Sequence, residues 1–384
     1  MHDAEIVRVA VTTARQDLID REVLADVVAL CAVAGEHLLV IGPPGTAKSQ
    51  VVRLVAERLG GRYFEYLLGR FTEPNEIFGP VDLRRLREGV VEIETAGMLP
   101  EAEVAFLDEV FLGSTAILNT LLGILNERTF RRGSTALRVP LRVGVGASNA
   151  LPDDSALAAF ADRFLARVFV EPVPDARLEE LLESGWAASG TPATPAHAAV
   201  TAPAVPDGTS VLAALDRLAE AALRCDLSGV QAELASAVRR MRSAGVAITD
   251  RRAVRTQRLV AAAAVLDGRD HATVADLWVL PLVAPTADAQ ATLRETLADV
   301  LARGRSSILL GAAEDFARGP AARADRLART GTDLLARHGE HPADPGQRLR
   351  LEATLREIDS AFVLAHLPEH LAEVRTRLID AVQG

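Results

Sequence analysis

The feature that most limits what this chain can become is an octapeptide, Gly42-Pro43-Pro44-Gly45-Thr46-Ala47-Lys48-Ser49, set between two segments of opposite character. Before it, His37-Leu38-Leu39-Val40-Ile41 is a short apolar run of strand type. After it, Ser49 to Leu59 carries Val51, Val52, Val55 and Leu59 at helical spacing. Strand, glycine-rich turn and helix form the setting of a phosphate-binding loop, in which backbone N–H groups and a helix N-terminus receive anionic oxygens. The loop departs from G-x-x-x-x-G-K-[ST] at one place, Ala47, where glycine is usual. Alanine keeps the backbone donor, so the cradle is expected to survive if that position is already helical.

Lys48 is the one lysine among 42 basic residues; the other 41 are arginine. A chain so biased keeps a lysine where a guanidinium fork cannot replace a compact ammonium on a thin stem. Lys48 is therefore read as reaching the β and γ phosphates of a nucleoside triphosphate, with Gly42, Pro43, Pro44, Gly45, Thr46, Ala47, Ser49 and Gln50 completing the loop.

A length of 384 residues suggests two or three domains. Aromatic content of 4% leaves a core of Ala, Leu and Val, a mix that favours helices over a β-sandwich. A net charge of −10 argues against an extensive nucleic-acid footprint. Cys31 and Cys225 are too few for a disulfide framework, and the scattered histidines lack zinc-ligand spacing. No apolar run approaches the ~18 residues of a membrane span and no signal peptide opens the chain, so a soluble cytoplasmic protein is expected.

Along the chain, helices fill 1–36, and apolar runs at 37–41, 63–67, 104–107, 141–147 and 167–170 alternate with helical patterns. That alternation predicts an α/β fold, a parallel sheet wrapped by helices. Residues 184–210, rich in Ala, Pro, Thr and Gly, read as a loop or linker. Beyond it, 211–285 reads as a small all-α unit and 286–384 as continuous helix with breaks near Gly319-Pro320, 341–346 and Pro368.

Val104-Ala105-Phe106-Leu107-Asp108-Glu109 is an apolar strand ending in two acids. Ligands of parallel sheets bind at the carboxyl ends of strands, which brings these acids beside the phosphate loop. Asp108 suits Mg²⁺, held together with the Ser49 hydroxyl, and Glu109 suits polarising a water. A second buried-type strand, 141–149, ends in Asn149, whose amide could orient that water or the γ phosphate. Arg163 and Arg252 are candidates for stabilising charge on the γ phosphate, one from a neighbouring subunit and one in its own chain. From residues alone they could equally be surface ion pairs. Thr249 or Asp250 is the expected N-cap of the helix that carries Arg252.

Taken in order, these landmarks resemble the AAA+ ATPases, and within them the MoxR family, especially its RavA-like branch. The resemblance rests on the GPPGTAKS loop, Arg70-Phe-Thr-Glu-Pro-Asn-Glu-Ile-Phe-Gly-Pro80, Gly97-Met-Leu-Pro-Glu-Ala102 and Phe106-Leu-Asp-Glu-Val110. It continues through Ala116-Ile-Leu-Asn-Thr-Leu-Leu122, Asn126-Glu-Arg128, Ala147-Ser-Asn149 and Asp162-Arg-Phe164. It covers 15–172 closely and 211–285 more loosely. It implies a P-loop AAA+ core over 1–190, a linker over 191–210, an α-helical lid over 211–285 and a terminal helical domain over 286–384. Residues 78–99 would be a β-hairpin insert in the second helix. The β-rich insertion that some RavA-like members carry in the terminal domain has no room here.

The resemblance further implies ATP and Mg²⁺ as ligands, Asn149 as sensor 1, Arg163 as the finger entering a neighbour, and Arg252 as sensor 2, with Arg251 beside it as the alternative. Ile19 is expected to meet the adenine. A ring, most often of six subunits, would hydrolyse ATP and remodel or mature a client protein complex in a chaperone-like way, with a von Willebrand A-domain protein as partner. Two rivals are a DNA-translocating motor, because helicases share the hairpin insert, and a nucleotide-gated scaffold with little turnover. The Asp108-Glu109 pair weighs against the scaffold, and the acidic charge against the motor.

Overall fold

Each apolar run of the first half forms a strand in the computed structural model, which describes residues 2–16, 18–174, 177–188, 199–200, 210–318, 320–340, 345–362 and 367–383. The strands are β1 (Leu38–Ile41), β2 (Gly61–Leu67), β3 (Val104–Asp108), β4 (Thr129–Arg132), β5 (Thr135–Arg138), β6 (Val143–Ser148), β7 (Ala166–Phe169) and the two-residue β8 (Ala199–Val200). The main sheet runs β7-β1-β6-β3-β2 with every pair parallel, and β8 adds an antiparallel edge on β2. β1 and β6 are buried at every residue, as expected of central strands covered on both faces.

The helices of the first half are α1 (His2–Gln16), α2 (Glu22–Ala34), α3 (Lys48–Leu59), α4 (Pro74–Phe78), α5 (Leu83–Arg87), α6 (Thr115–Glu127), α7 (Ser155–Ala161) and α8 (Leu178–Ala188). The second half adds α9 (Val211–Leu223), α10 (Gln231–Ser243), α11 (Asp250–Leu266), α12 (Ala287–Thr296), α13 (Ala298–Leu301), α14 (Leu310–Arg318), α15 (Pro320–Glu340), α16 (Pro345–Ala361) and α17 (Glu369–Gln383). Thr249 caps α11, its hydroxyl accepting from the Arg252 N–H at 3.2 Å.

One apolar cluster joins α1, α2 and α3 to a face of the sheet and to the helices from α9 to α14. α2 is buried on all sides from Leu24 to Ala34, the mark of a helix inside a core. A second cluster covers the other face with Ile77 and Phe78 of α4, the inner side of α6, and Phe160 of α7. α15, α16 and α17 enclose a third cluster of their own.

Three expectations change. Residues 78–99 are not a full hairpin: only Val81 and Ile93 bridge, and the outgoing arm coils into α5. Its sequence explains this, since the Asp82 carboxylate accepts from the N–H groups of Arg84 and Arg85 and caps five good helix formers. The last segment of the expected all-α unit is a 3-10 stretch, Val274–Val283 with Pro281 inside it, and not an α-helix. The presumed loop at 184–210 starts later than expected, because 184–188 complete α8. The remainder of that loop, Ala199–Val200 and Ser210 apart, lies outside the described residues.

Candidate nucleotide-binding site

The register of the sheet brings the chemistry to one edge. Ile41 at the end of β1 pairs with Ser148 at the end of β6, and Leu107 of β3 pairs with Gly146 of β6. The turn after β1, the acids after β3 and Asn149 after β6 therefore emerge side by side. The Gly42 N–H donates to the Ser148 carbonyl at 3.1 Å, and a Cβ on Gly42 would lie 2.2 Å from the Val170 carbonyl oxygen. Only glycine lets the loop leave β1 along this path.

Ala47 corrects an expectation. It is not helical but left-handed, with φ 59° and ψ 22°, immediately ahead of α3. An L-residue with a Cβ in that region costs about 1–2 kcal/mol, which explains why glycine is usual there. The N–H groups of the first turn of α3 still face the loop, so the cradle survives with strain and not by helical continuity.

Lys48 is 7% exposed, and its ammonium donates to the carbonyls of Gly42 at 2.8 Å and Pro43 at 2.9 Å. Burial lowers its pKa, while Asp108 and Glu109 pull it upward, so those two acids lie within electrostatic reach of the ammonium. Ser49 is half-buried in the first turn of α3, and Gln50 is exposed.

Asp108 ends β3, and Glu109 follows in a left-handed conformation with φ 48° and ψ 46°. The Asp108 carboxylate accepts from the Glu109 N–H at 3.0 Å, which fixes the turn. The Glu109 Oε1 accepts from Asn149 Nδ2 at 2.6 Å. Burial and the adjacent Asp108 charge raise the Glu109 pKa, with Lys48 opposing. A glutamate held in strained backbone, with raised basicity and an amide on its oxygen, is the arrangement expected of a general base.

A residue the sequence reading passed over completes the loop. Arg21, 5% exposed, donates from Nε to the Thr46 carbonyl at 2.9 Å and from Nη2 to the Glu171 carbonyl at 2.7 Å. It ties the phosphate loop to the segment after β7, and its charge is felt at Lys48. The half-buried Ile19 lies two residues upstream.

The two arginine candidates are not at this edge. Leu38, at the start of β1, pairs with Ala166, so the residues before β7 lie at the opposite rim. About 10 Å of strand separates them from the loop. Arg163 is at that far rim, where its carbonyl accepts from Arg255 Nη1 at 3.2 Å. Arg252 is 2% exposed and fully engaged. It donates to Asp162 Oδ1 at 3.0 Å, the Leu165 carbonyl at 2.6 Å and the Val283 carbonyl at 2.9 Å. It clamps α11 to the entry of β7 and does not meet the phosphate loop of its own chain.

Arg251, next to it, donates to Asn126 Oδ1 at 2.7 Å. Burial, then the charges of Arg163 and Arg255, lower its pKa. The wholly buried Glu36 neutralises part of this cationic rim through Arg255 and, at 3.3 Å, Arg258. Glu36 was unremarkable in the sequence; its only signal was a carboxylate at the mouth of an apolar strand.

Among the described residues no group of three or more His, Cys, Asp and Glu side chains could hold a metal ion. Mg²⁺ takes one or two protein ligands and completes its shell with phosphate oxygens and water. Ser49 and Asp108 fit that role, and the ammonium and amide donors around Gly42 fit a triphosphate.

A glycine-cradled loop between β1 and α3, acids closing β3 and an amide closing β6 define a P-loop nucleotide-binding protein of the α/β class. Residues 5–206 match the family model of the MoxR domain in the MoxR-vWA-beta-propeller ternary systems. The chain belongs to the MoxR family of AAA+ proteins. Two uncharacterized proteins of Methanocaldococcus jannaschii are similar: one is 34% identical over 267 residues, covering 68% of this chain and 66% of that protein. The other is 33% identical over 264 residues, covering 68% and 65%. The match thus spans just under two thirds of those relatives' own length. The crystal structure of "a putative ATPase" from Cytophaga hutchinsonii superposes with a TM-score of 0.58 at 15% identity, over 80% of this chain and 97% of that one, a likeness of fold. Among the described residues no helix is long and apolar enough to cross a membrane.

Proposed function

We propose that the protein hydrolyses ATP with Mg²⁺ at the interfaces of a ring, most simply of six subunits. The observation that carries this reading is the Glu109–Asn149 hydrogen bond at 2.6 Å, made beside the Lys48 loop. Lys48 and the loop amides bind the β and γ phosphates, and Ser49 and Asp108 hold the ion through its inner shell or its waters. Bound Mg²⁺ neutralises charge on the phosphates. Glu109 accepts the proton of the attacking water, and Asn149 fixes which carboxylate oxygen faces it.

Arg163 and the exposed Arg251 stand at the rim opposite their own loop, which leaves them to meet the triphosphate of a neighbouring subunit. α9, α10 and α11 then act as a lid whose position is locked to β7 by Arg252. The family description, with its von Willebrand A and β-propeller components, supports a von Willebrand A-domain partner; the chaperone-like action on a client complex is carried over from the family resemblance alone. A cytoplasmic location fits that role.

Mixing subunits tests the interface. Lys48→Ala and Arg163→Ala are each expected to be inactive alone, and their mixture should regain ATPase activity, because mixed interfaces combine an intact loop with an intact arginine. Activity in Arg163→Ala alone, or no recovery on mixing two assembled variants, would overturn the trans assignment.

A further inference from the structure

Two excursions from the sheet meet and form one unit away from the phosphate loop. Ser134, in the turn between β4 and β5, donates from its N–H at 2.8 Å and its hydroxyl at 2.6 Å to the Val91 carbonyl. The Ile93 N–H donates to Thr135 Oγ at 2.7 Å. Beneath them Phe78 stacks on Phe130 with ring centroids 5.6 Å apart. The unit is therefore anchored to the second apolar cluster and is not a loose pair of loops.

Its outer surface is unusual for this chain. α5 buries none of its five residues; Leu83 is 68% and Leu86 45% exposed, and Val91 nearby is 46% exposed. Residues 80–98 and 129–138 hold six arginines against four acids in a chain of net charge −10. Of those four acids, Asp82 is occupied as the α5 cap, Glu88 and Glu92 both pair with Arg85, and Glu94 alone is left to offset the remaining arginines. Arg84, Arg87, Arg131 and Arg138 are exposed and make no ion pair among the described residues.

We propose that this surface is a docking site for an acidic polypeptide segment with interspersed aliphatic residues. Uncompensated guanidinium groups select carboxylates, and the leucines between them select apolar side chains and not water. Exposed aliphatic residues ringed by charge are the usual mark of a protein-binding patch. A single-stranded nucleic acid would call for stacking aromatics, and in these two segments Phe130 is the one aromatic residue and is buried. The site needs no nucleotide turnover and stands independently of the hydrolytic reading.

The full chain is titrated against a fluorescein-labelled peptide alternating Glu and Leu, and against the same length of Gln and Ser and a 20-nucleotide single strand of DNA. The acidic peptide should bind, and Arg84→Glu with Arg87→Glu and Arg131→Glu should weaken it at least tenfold. Leu83→Ser with Leu86→Ser should weaken it several-fold with charge intact. Both variants should keep the wild-type Tm and affinity for a fluorescent ADP. The proposal fails if the acidic peptide does not bind, if both variants bind it normally, or if DNA binds more tightly and is released by the same arginine changes. It also fails if the variants alter the oligomeric state, which would make the patch a contact between copies.

Discussion

Asn149 Nδ2 and Glu109 Oε1 are joined by a 2.6 Å hydrogen bond that links the ends of two strands, β6 and β3, across the mouth of the phosphate loop. In the proposed hydrolysis, this bond would decide which Glu109 oxygen remains to take a proton. Glu109→Gln should bind ATP with near wild-type affinity and lose turnover by about 10²–10⁴-fold. Asn149→Ala should lose less, roughly tenfold to a hundredfold, because the carboxylate stays but its orientation is relaxed. Because burial and Asp108 raise the Glu109 pKa, the acid limb of the kcat profile should fall above the ordinary glutamate range. Steady-state kinetics across pH 4.5–8 checks all three; an Asn149→Ala enzyme with unchanged kcat would separate the bond from catalysis.

Arg21 holds the same loop at Thr46. Its Nε and Nη2 donate to the backbone carbonyls of Thr46 and Glu171, and its Nη1 pairs with Asp20 at 3.4 Å, so it shapes the cradle chiefly by holding backbone while its charge lowers the Lys48 pKa. Arg21→Ala should raise KM for ATP about tenfold, equivalent to ~1.4 kcal/mol, with a smaller change in kcat. Arg21→Lys cannot reach both carbonyls with one planar fork and should rescue only part of the loss. A fall in kcat at unchanged KM would show that the residue works elsewhere.

Ala47 offers a prediction about strain. Its left-handed backbone costs about 1–2 kcal/mol, and glycine would relieve it while adding about 0.4–1 kcal/mol of unfolded-chain entropy. Ala47→Gly should therefore leave stability unchanged or raise it by up to ~1.6 kcal/mol, read as denaturant midpoint. Ala47→Val, β-branched at positive φ, should destabilise and weaken nucleotide binding together.

Much of this was legible in the chain. Continuous apolar runs such as Leu38–Ile41 and Val104–Leu107 could only be buried strands, and a phosphate loop fixes which edge they share. The β4–β5 hairpin was not legible, because Thr129-Phe-Arg-Arg-Gly-Ser-Thr-Ala-Leu-Arg138 is short and mostly exposed, with Phe130 as its single wholly buried residue. Ala47 misled because its dihedral is set by the turn on both sides and not by its own propensity. Arg251 and Arg252 are indistinguishable as letters. Burial against Asp162, Leu165 and Val283 separates them, and that depends on how α11 packs on β7.

That packing makes Arg252 a stability determinant. Arg252→Ala leaves the carbonyls of Leu165 and Val283 and the Asp162 carboxylate without their donor, a loss of about 1–3 kcal/mol for each buried acceptor left unpaired, with Asp162, 27% exposed, partly rescued by water. Its Tm should drop by several degrees, whereas Arg163→Ala should melt like the wild type and fail only in turnover. Equal melting of the two variants would remove the clamp.

Asp26 is buried inside α2, where its carboxylate accepts from Arg15 Nε at 2.5 Å and from the Ala312 N–H of α14 at 3.0 Å. Burial pushes its pKa up to about 7 despite the Arg15 charge. The unfolded chain, with an ordinary aspartate near 3.9, releases this proton first as pH rises. The folded form therefore holds the extra proton between about pH 4 and about pH 7, and stability contributed by this group declines across that window. Below it both states are protonated, and above it both are ionised, so the slope vanishes on either side. Asp26→Asn keeps an oxygen to cap Ala312 and has no proton to exchange. Measured by denaturant unfolding at pH 4.5, 6 and 7.5, the wild type should lose stability relative to Asp26→Asn as pH rises. Carboxylates common to both chains cancel in that difference, so a pH-independent gap would mean that Asp26 is ionised throughout and that Arg15 outweighs its burial.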